Sequence, residues 1–180
     1  MKKRALKRCL ILAALLGTLG ACGGDDPPPP QAPQIVLPPP PPPPEPPKPP
    51  EPTVASLTLK AGPNVNPSTS SQPSPVVVRV YQLTNVTAFQ ETDFFQLQQD
   101  ASSALGDELV NSEDFVLAPG QMLLYQRKLP DDVRFLGVTA AFRDLSGSSW
   151  RSYHAVPAAK TSLLEAELAG TQISMRKAGL

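Results

Sequence analysis

The chain is 180 residues long and sets 16 Lys and Arg against 16 Asp and Glu, with 24 prolines and two cysteines. Five of the basic residues, Lys2, Lys3, Arg4, Lys7 and Arg8, precede an expected leader cleavage; eleven then face sixteen acidic ones, a net charge of about −5 that leaves no basic stripe for nucleic acid. Cys9 and Cys22 are both N-terminal, so the chain after residue 22 has no disulfide, thiolate metal site or thiol nucleophile.

Taken in order, the basic start runs into apolar residues 10–16 and then small residues, the pattern of a secretory signal peptide. The apolar run is too short for a lasting transmembrane helix. Leu19-Gly20-Ala21-Cys22 makes it a lipoprotein signal: residues 1–21 are removed, the Cys22 thiol carries a diacylglycerol, and its freed amine is acylated. Several acyl chains hold far more firmly than one, since each buried methylene contributes about 0.8 kcal/mol. Gly23 and Gly24 follow the cysteine, ahead of Asp25 and Asp26. In the enterobacterial sorting rule, Asp directly after the cysteine retains a lipoprotein in the inner membrane. Its absence here points to the outer membrane, reached through the N-terminal lipid, with the rest of the chain in the periplasm.

Residues 22–52 form a segment of their own, since 17 of the 24 prolines lie between Pro27 and Pro52. Proline locks φ and lacks the N–H donor, which excludes helix and sheet. The expectation is a polyproline II spacer of about 3.1 Å per residue, whose roughly 28 residues reach at most about 87 Å. A ligand for a Pro-binding module is the other use of such a stretch.

Residues 53–180 suit one domain with its own core. Ala55, Leu57, Leu59 and Ala61 alternate with Ser56, Thr58 and Lys60, a strand with one wet face. Residues 62–74 carry Gly-Pro-Asn, Asn-Pro and a Ser/Thr/Gln cluster, a loop far longer than a hairpin needs. Residues 76–83, with Val76, Val77, Val78 and Val80, are the clearest strand. Over residues 86–109 the period changes: Phe89, Phe94, Leu97, Ala101 and Leu105 predict one or two short helices, capped by Asn85 or Thr87 and stopped by Gly106. Strands resume at 114–117, 121–129 and 133–143, the last with Leu136, Val138, Ala140 and Phe142 on one face, then at 150–156. Residues 161–168 could pass for helix on propensity alone, but the strand-turn rhythm and Gly170 predict a terminal hairpin with 171–177. Seven or eight strands at this spacing make an all-β, two-sheet β-sandwich.

Chemistry is sparse. The lone histidine, His154, lies between Tyr153 and Ala155 in a predicted strand and reads as structural. Asp131-Asp132 and Glu113-Asp114 read as solvated pairs in or beside turns. No serine has the glycine setting of a nucleophile elbow, and no glycine-rich phosphate loop is present. No enzyme, metal or cofactor is indicated.

Several unlinked stretches carry a resemblance: Val78-Arg79-Val80-Tyr81-Gln82-Leu83, Asp93-Phe94-Phe95, Leu117-Ala118-Pro119-Gly120, Arg134-Phe135-Leu136-Gly137-Val138, Ala141-Phe142-Arg143-Asp144 and Trp150-Arg151. With the lipobox, residues 54–178 resemble the outer-membrane lipoprotein of the type VI secretion system, the TssJ (SciN) family. The Pro-rich spacer is longer than that family's pattern needs. The resemblance implies a transthyretin-like sandwich of two four-stranded sheets, with a small helical insertion and a protruding loop between the first two strands. It implies no cofactor, and a scaffold role: anchoring the envelope complex to the outer membrane by binding the periplasmic C-terminal domain of the inner-membrane partner TssM. The matching loop places Gly62, Pro63, Asn64, Val65, Asn66, Pro67, Ser68, Thr69 and Ser70 as partner-binding residues. Two other readings stand beside this one. A sandwich binding a small molecule or glycan needs an aromatic-lined pocket, and the chain has one Trp and three Tyr to build it. A periplasmic enzyme would have an activity tied to His154.

Overall fold

Alternating apolar and polar residues give each strand one face to bury, and two sheets stacked face to face bury both. The computed structural model describes residues 51–179; the leader, Cys22 and the spacer as far as residue 50 lie outside the described residues. Its strands are β1 (Val54–Ala61), β2 (Val76–Leu83), β3 (Leu109–Leu117), β4 (Met122–Lys128), β5 (Phe135–Ala141), β6 (Arg151–Ala155), β7 (Thr161–Ala169) and β8 (Gln172–Lys177). They form two four-stranded sheets, β4-β1-β7-β8 and β3-β2-β5-β6. β1 and β7 run parallel, and the remaining neighbours pair antiparallel. This is the all-β, two-sheet sandwich expected from the strand rhythm.

The alternations read along the chain meet between the sheets. Ala55, Leu57, Leu59 and Ala61 of β1 share one core with Val76, Val78 and Val80 of β2, Leu136, Val138 and Ala140 of β5, and Leu164, Ala166 and Leu168 of β7. Each leucine buried there contributes about 1.5–3 kcal/mol. Gln82 donates from Nε2 to the Tyr125 hydroxyl at 2.8 Å, so the polar groups enclosed by the sheets satisfy each other. β7 is the segment whose composition also suits helix. Flanked by β1 and β8, it alternates buried and exposed residues along its length, because pairing on both edges outweighs a weak local propensity.

The helical insertion differs in detail from its expected form. There are three helices, α1 (Thr87–Glu91), α2 (Phe94–Gln99) and α3 (Ala101–Leu105), then a 3₁₀ turn (Gly106–Glu108) leading directly into β3 at Leu109. The helix is broken where Asp93 accepts from the N–H groups of Phe95 and Gln96, and again where Asp100 accepts from that of Ser103. Each aspartate restarts the helix as an N-cap. Neither Asn85 nor Thr87 caps α1; the N–H groups of Ala88 and Phe89 donate instead to Glu108 Oε2, at 2.9 and 3.4 Å. Gly106 ends α3 at φ 52°, as its position predicted.

This insertion covers the outer face of the second sheet. Phe89, Leu97 and Leu105 form a second core with Tyr81 and Leu83 of β2, and β5 is consequently buried on both faces from Leu136 to Ala140. Two arginines hold the helices down. Arg79 Nη1 donates to the Leu97 carbonyl at 3.1 Å, and its Nη2 donates to Asp114 at 2.8 Å. Arg151 Nη1 donates to the carbonyls of Phe89 and Thr92, at 2.8 and 2.7 Å. Cations suit the carbonyl ends of helices. Glu113 and Asp114 therefore lie within β3, not in or beside a turn as their composition suggested. Asp114 pairs with Arg79, whose hydrogen bond holds the carboxyl below the usual carboxylate range, and Glu113 pairs with Arg127 at 2.7 Å.

Candidate docking surface at the distal loops

Strand directions divide the connections between two ends. The chain enters β1 beside the β4–β5 and β6–β7 loops, where the Thr53 carbonyl accepts from Leu129 N at 2.9 Å and its Oγ1 accepts from Ala159 N at 2.9 Å. The β1–β2, β3–β4, β5–β6 and β7–β8 connections all lie at the opposite end. Eight strand residues, the length of β1, span about 26 Å at roughly 3.3 Å each. The point where the chain enters β1 and the long loop are thus separated by the height of the sandwich.

Residues 62–75 divide into a built-in base and a presented tip. Gly62 N donates to the Leu168 carbonyl at 2.7 Å, and a Cβ on Gly62 would lie 3.0 Å from that same oxygen, so glycine permits the close approach. Val65 is fully buried in the main core. Asn66 is buried and joins three loops: its N–H donates to the Gly170 carbonyl at 2.8 Å, its Nδ2 to the Pro75 carbonyl at 2.7 Å, and its Oδ1 accepts from Arg143 N at 2.8 Å. It does so at φ 50°, a conformation asparagine tolerates better than most residues. Beyond it, the tip closes on itself: Ser68 N donates to the Gln72 carbonyl at 2.8 Å, and Gln72 N donates to Ser68 Oγ at 3.2 Å. Thr69, Ser70, Ser71 and Gln72 are exposed, as are Pro63 and Asn64.

The nine expected contact residues therefore separate by role. Gly62, half-buried against Leu168, and the inward-turned Val65 and Asn66 position the loop. Pro63, Asn64, Thr69 and Ser70 face solvent, and Pro67 and Ser68 are half-buried beside a cleft. That cleft is completed by Arg143 and Asp144 from the β5–β6 loop and Thr171 from the β7–β8 turn, residues that sequence reading did not assign to the surface. They lie 68 or more positions from the loop in sequence, and although Arg143 and Asp144 belong to one of the stretches that carry the resemblance, nothing local marks them as neighbours of the loop.

Elsewhere His154 is half-buried on β6, with Nδ1 2.9 Å from the Ala155 carbonyl oxygen. A second cleft, against the helices, is lined by Gln96, Gln99, Asp100, Ser103 and Ala104, with no aromatic ring for a sugar to stack on.

This architecture matches known proteins. Residues 53–171 match the family model described as type VI secretion lipoprotein, VasD, EvfM, TssJ. The T6SS lipoprotein TssJ1 from Pseudomonas aeruginosa is 38% identical, with a TM-score of 0.69 over 72% of this chain and 98% of that one. Serratia marcescens Lip, a membrane-bound component of the type VI secretion system, is 32% identical with a TM-score of 0.61, again over 72% and 98%. A chain in a structure described as the T6SS protein TssM C-terminal domain from EAEC is 25% identical with a TM-score of 0.58, over 68% and 99%. No curated protein matches. A family model covering most of the sandwich, together with two solved lipoproteins above 30% identity spanned almost end to end, establishes that this chain belongs to the type VI secretion lipoprotein family.

Proposed function

We propose that the mature protein is anchored in the outer membrane by acylated Cys22, carries its sandwich on the 22–52 spacer, and tethers the inner-membrane TssM of a type VI secretion envelope complex. The distal loops dock on the periplasmic C-terminal domain of TssM. The observation that carries this reading is the placement of the loop cluster and the tether entry at opposite ends of the sandwich, so that an anchored molecule offers its loops away from its own membrane. Similarity to a chain in a structure described as a TssM C-terminal domain supports the partner.

Replacing the whole 62–74 loop would remove Val65 from the core and Asn66 from three hydrogen bonds, so the decisive variant changes only the tip. Substituting residues 68–72 by Gly and Ser should leave the melting temperature within about 3 °C, because the loop keeps its length and residues 69–72 are exposed. Affinity for the TssM periplasmic domain should fall at least tenfold. Unchanged affinity would move the interface off this loop.

Anchoring has its own test. Cys22→Ser should abolish outer-membrane recovery on fractionation and, with it, secretion, since among the described residues no helix is long and apolar enough to cross a membrane. A Ser variant still found in the outer membrane would overturn lipid anchoring at Cys22.

A further inference from the structure

We propose that the cleft between the β1–β2 tip and the β5–β6 loop receives an acidic side chain of the docked partner, with the Arg143 guanidinium as its counter-ion. This rests on the docking reading above and names the chemistry of that contact.

The six arginines among the described residues are not equivalent. Arg79, Arg127 and Arg176 pair with carboxylates, while Arg134 and Arg151 donate to backbone carbonyls. Arg143 is exposed, and its guanidinium enters none of the ion pairs or hydrogen bonds found among the described residues; only its backbone N–H is used, by Asn66 Oδ1 at 2.8 Å. Arg143 lines a cleft walled by three different loops. Thr69 and Thr171 line it as well, and their hydroxyls are likewise without a hydrogen bond among the described residues. Asp144, the acidic member of the wall, already accepts from Ser146 N at 2.8 Å through Oδ1.

The site therefore offers a free cationic fork flanked by hydroxyl donors. A carboxylate accepts from both, with Arg in the bidentate geometry that makes such pairs strong and directional. An incoming Lys or Arg would be repelled by Arg143. The backbone under Arg143 is held by a buried side chain, so little main-chain freedom is lost when the contact forms.

The test uses the mature lipoprotein in detergent and the cognate TssM periplasmic domain, with affinity measured at low and high salt. Arg143→Glu should weaken binding at least tenfold at low salt and flatten the salt dependence. Arg143→Lys should lose less than Arg143→Glu, and Asp144→Asn should bind at least as well as wild type. Arg143→Gln, which removes the charge without reversing it and keeps a polar side chain, decides the matter if the Glu variant melts lower than wild type. Arg143→Glu and Arg143→Gln within twofold of wild type would overturn the proposal, as would tighter binding by Arg143→Glu together with loss in Asp144→Asn, since the cleft would then take a cation. Loss of binding in the tip variant with full binding in the Arg143 variants would leave the docking loop standing and remove only this contact. Full binding in the tip variant would remove the docking reading itself.

Discussion

Asn66→Ala is expected to destabilise the domain by about 2–4 kcal/mol and to weaken TssM binding well beyond what the lost stability explains. The substitution leaves the Arg143 N–H and the Pro75 carbonyl without their partners, and an unsatisfied buried group costs about 1–3 kcal/mol. It also places Ala at φ 50°, which adds on the order of 1 kcal/mol. Both consequences reach the docking surface, because Asn66 ties the β1–β2 loop to Arg143 on one side and Gly170 on the other. Three substitutions at the site separate the contributions. Asn66→Gly removes both side-chain bonds but accommodates the backbone, Asn66→Ala removes them and strains the backbone as well, and Asn66→Asp keeps the acceptor for Arg143 N but sets a carboxylate oxygen against the Pro75 carbonyl in a buried position. Stability by denaturant unfolding should be higher for the glycine than for the alanine, and the aspartate should lose stability through the charge it buries. A cost below about 1 kcal/mol for the alanine would mean that the three loops hold their positions without this side chain.

The second large effect belongs to the insertion. Phe89 is fully buried, with its ring 5.2 Å from that of Tyr81, and its Cζ would lie 2.8 Å from a Cβ on Gly137. Phe89→Ala should cost about 3–5 kcal/mol, which lowers the melting temperature by roughly 10–20 °C for a domain of this size. Hydrogen exchange should show the loss concentrated in residues 86–108 and on the outer face of β5, with the amides of β1 and β7 little changed. Gly137→Val provides the complement. In the wild-type background the added side chain drives into the Phe89 ring and should cost about 1–3 kcal/mol. In Phe89→Ala it enters the space the ring has vacated, so the double variant should be more stable than the sum of the single costs by more than about 1 kcal/mol. Strict additivity would show that the glycine is not required by Phe89.

Neither effect is written in local sequence, whereas the strands that carry them are. The alternation of Ala55, Leu57, Leu59 and Ala61, and the run from Val76 to Val80, determined which faces would be buried, because side-chain direction along a strand has a period of two whatever the partner. Gly106 and Gly170 were legible as breaks because their positive φ suits glycine. The basic start, the Leu19–Cys22 box and the proline run are likewise properties of adjacent residues, and the expectations drawn from them rest on sequence alone. The functional assignment likewise came from short local motifs, several of which hold the core or its turns.

The tertiary structure decided what depends on residues far apart. Asp93 and Asp100 became N-caps that divide one predicted helical stretch into three short helices. The strand predicted from Asp114 begins earlier, at Leu109, and takes in Glu113: Asp114 faces Arg79 on the neighbouring strand β2, and Glu113 pairs with Arg127 of β4, from the other sheet. The long loop was divided into base and tip by which of its residues found partners: Val65 and Asn66 were recruited inward by the core and by Arg143, Gly170 and Pro75, and the polar residues from Thr69 to Gln72 were left to solvent. Arg143 and Thr171 came to share a cleft with the loop tip because the strand topology delivers three separate connections to one end. Hydrogen bonding and burial between such distant residues are set by packing, and packing has no local signature in the chain.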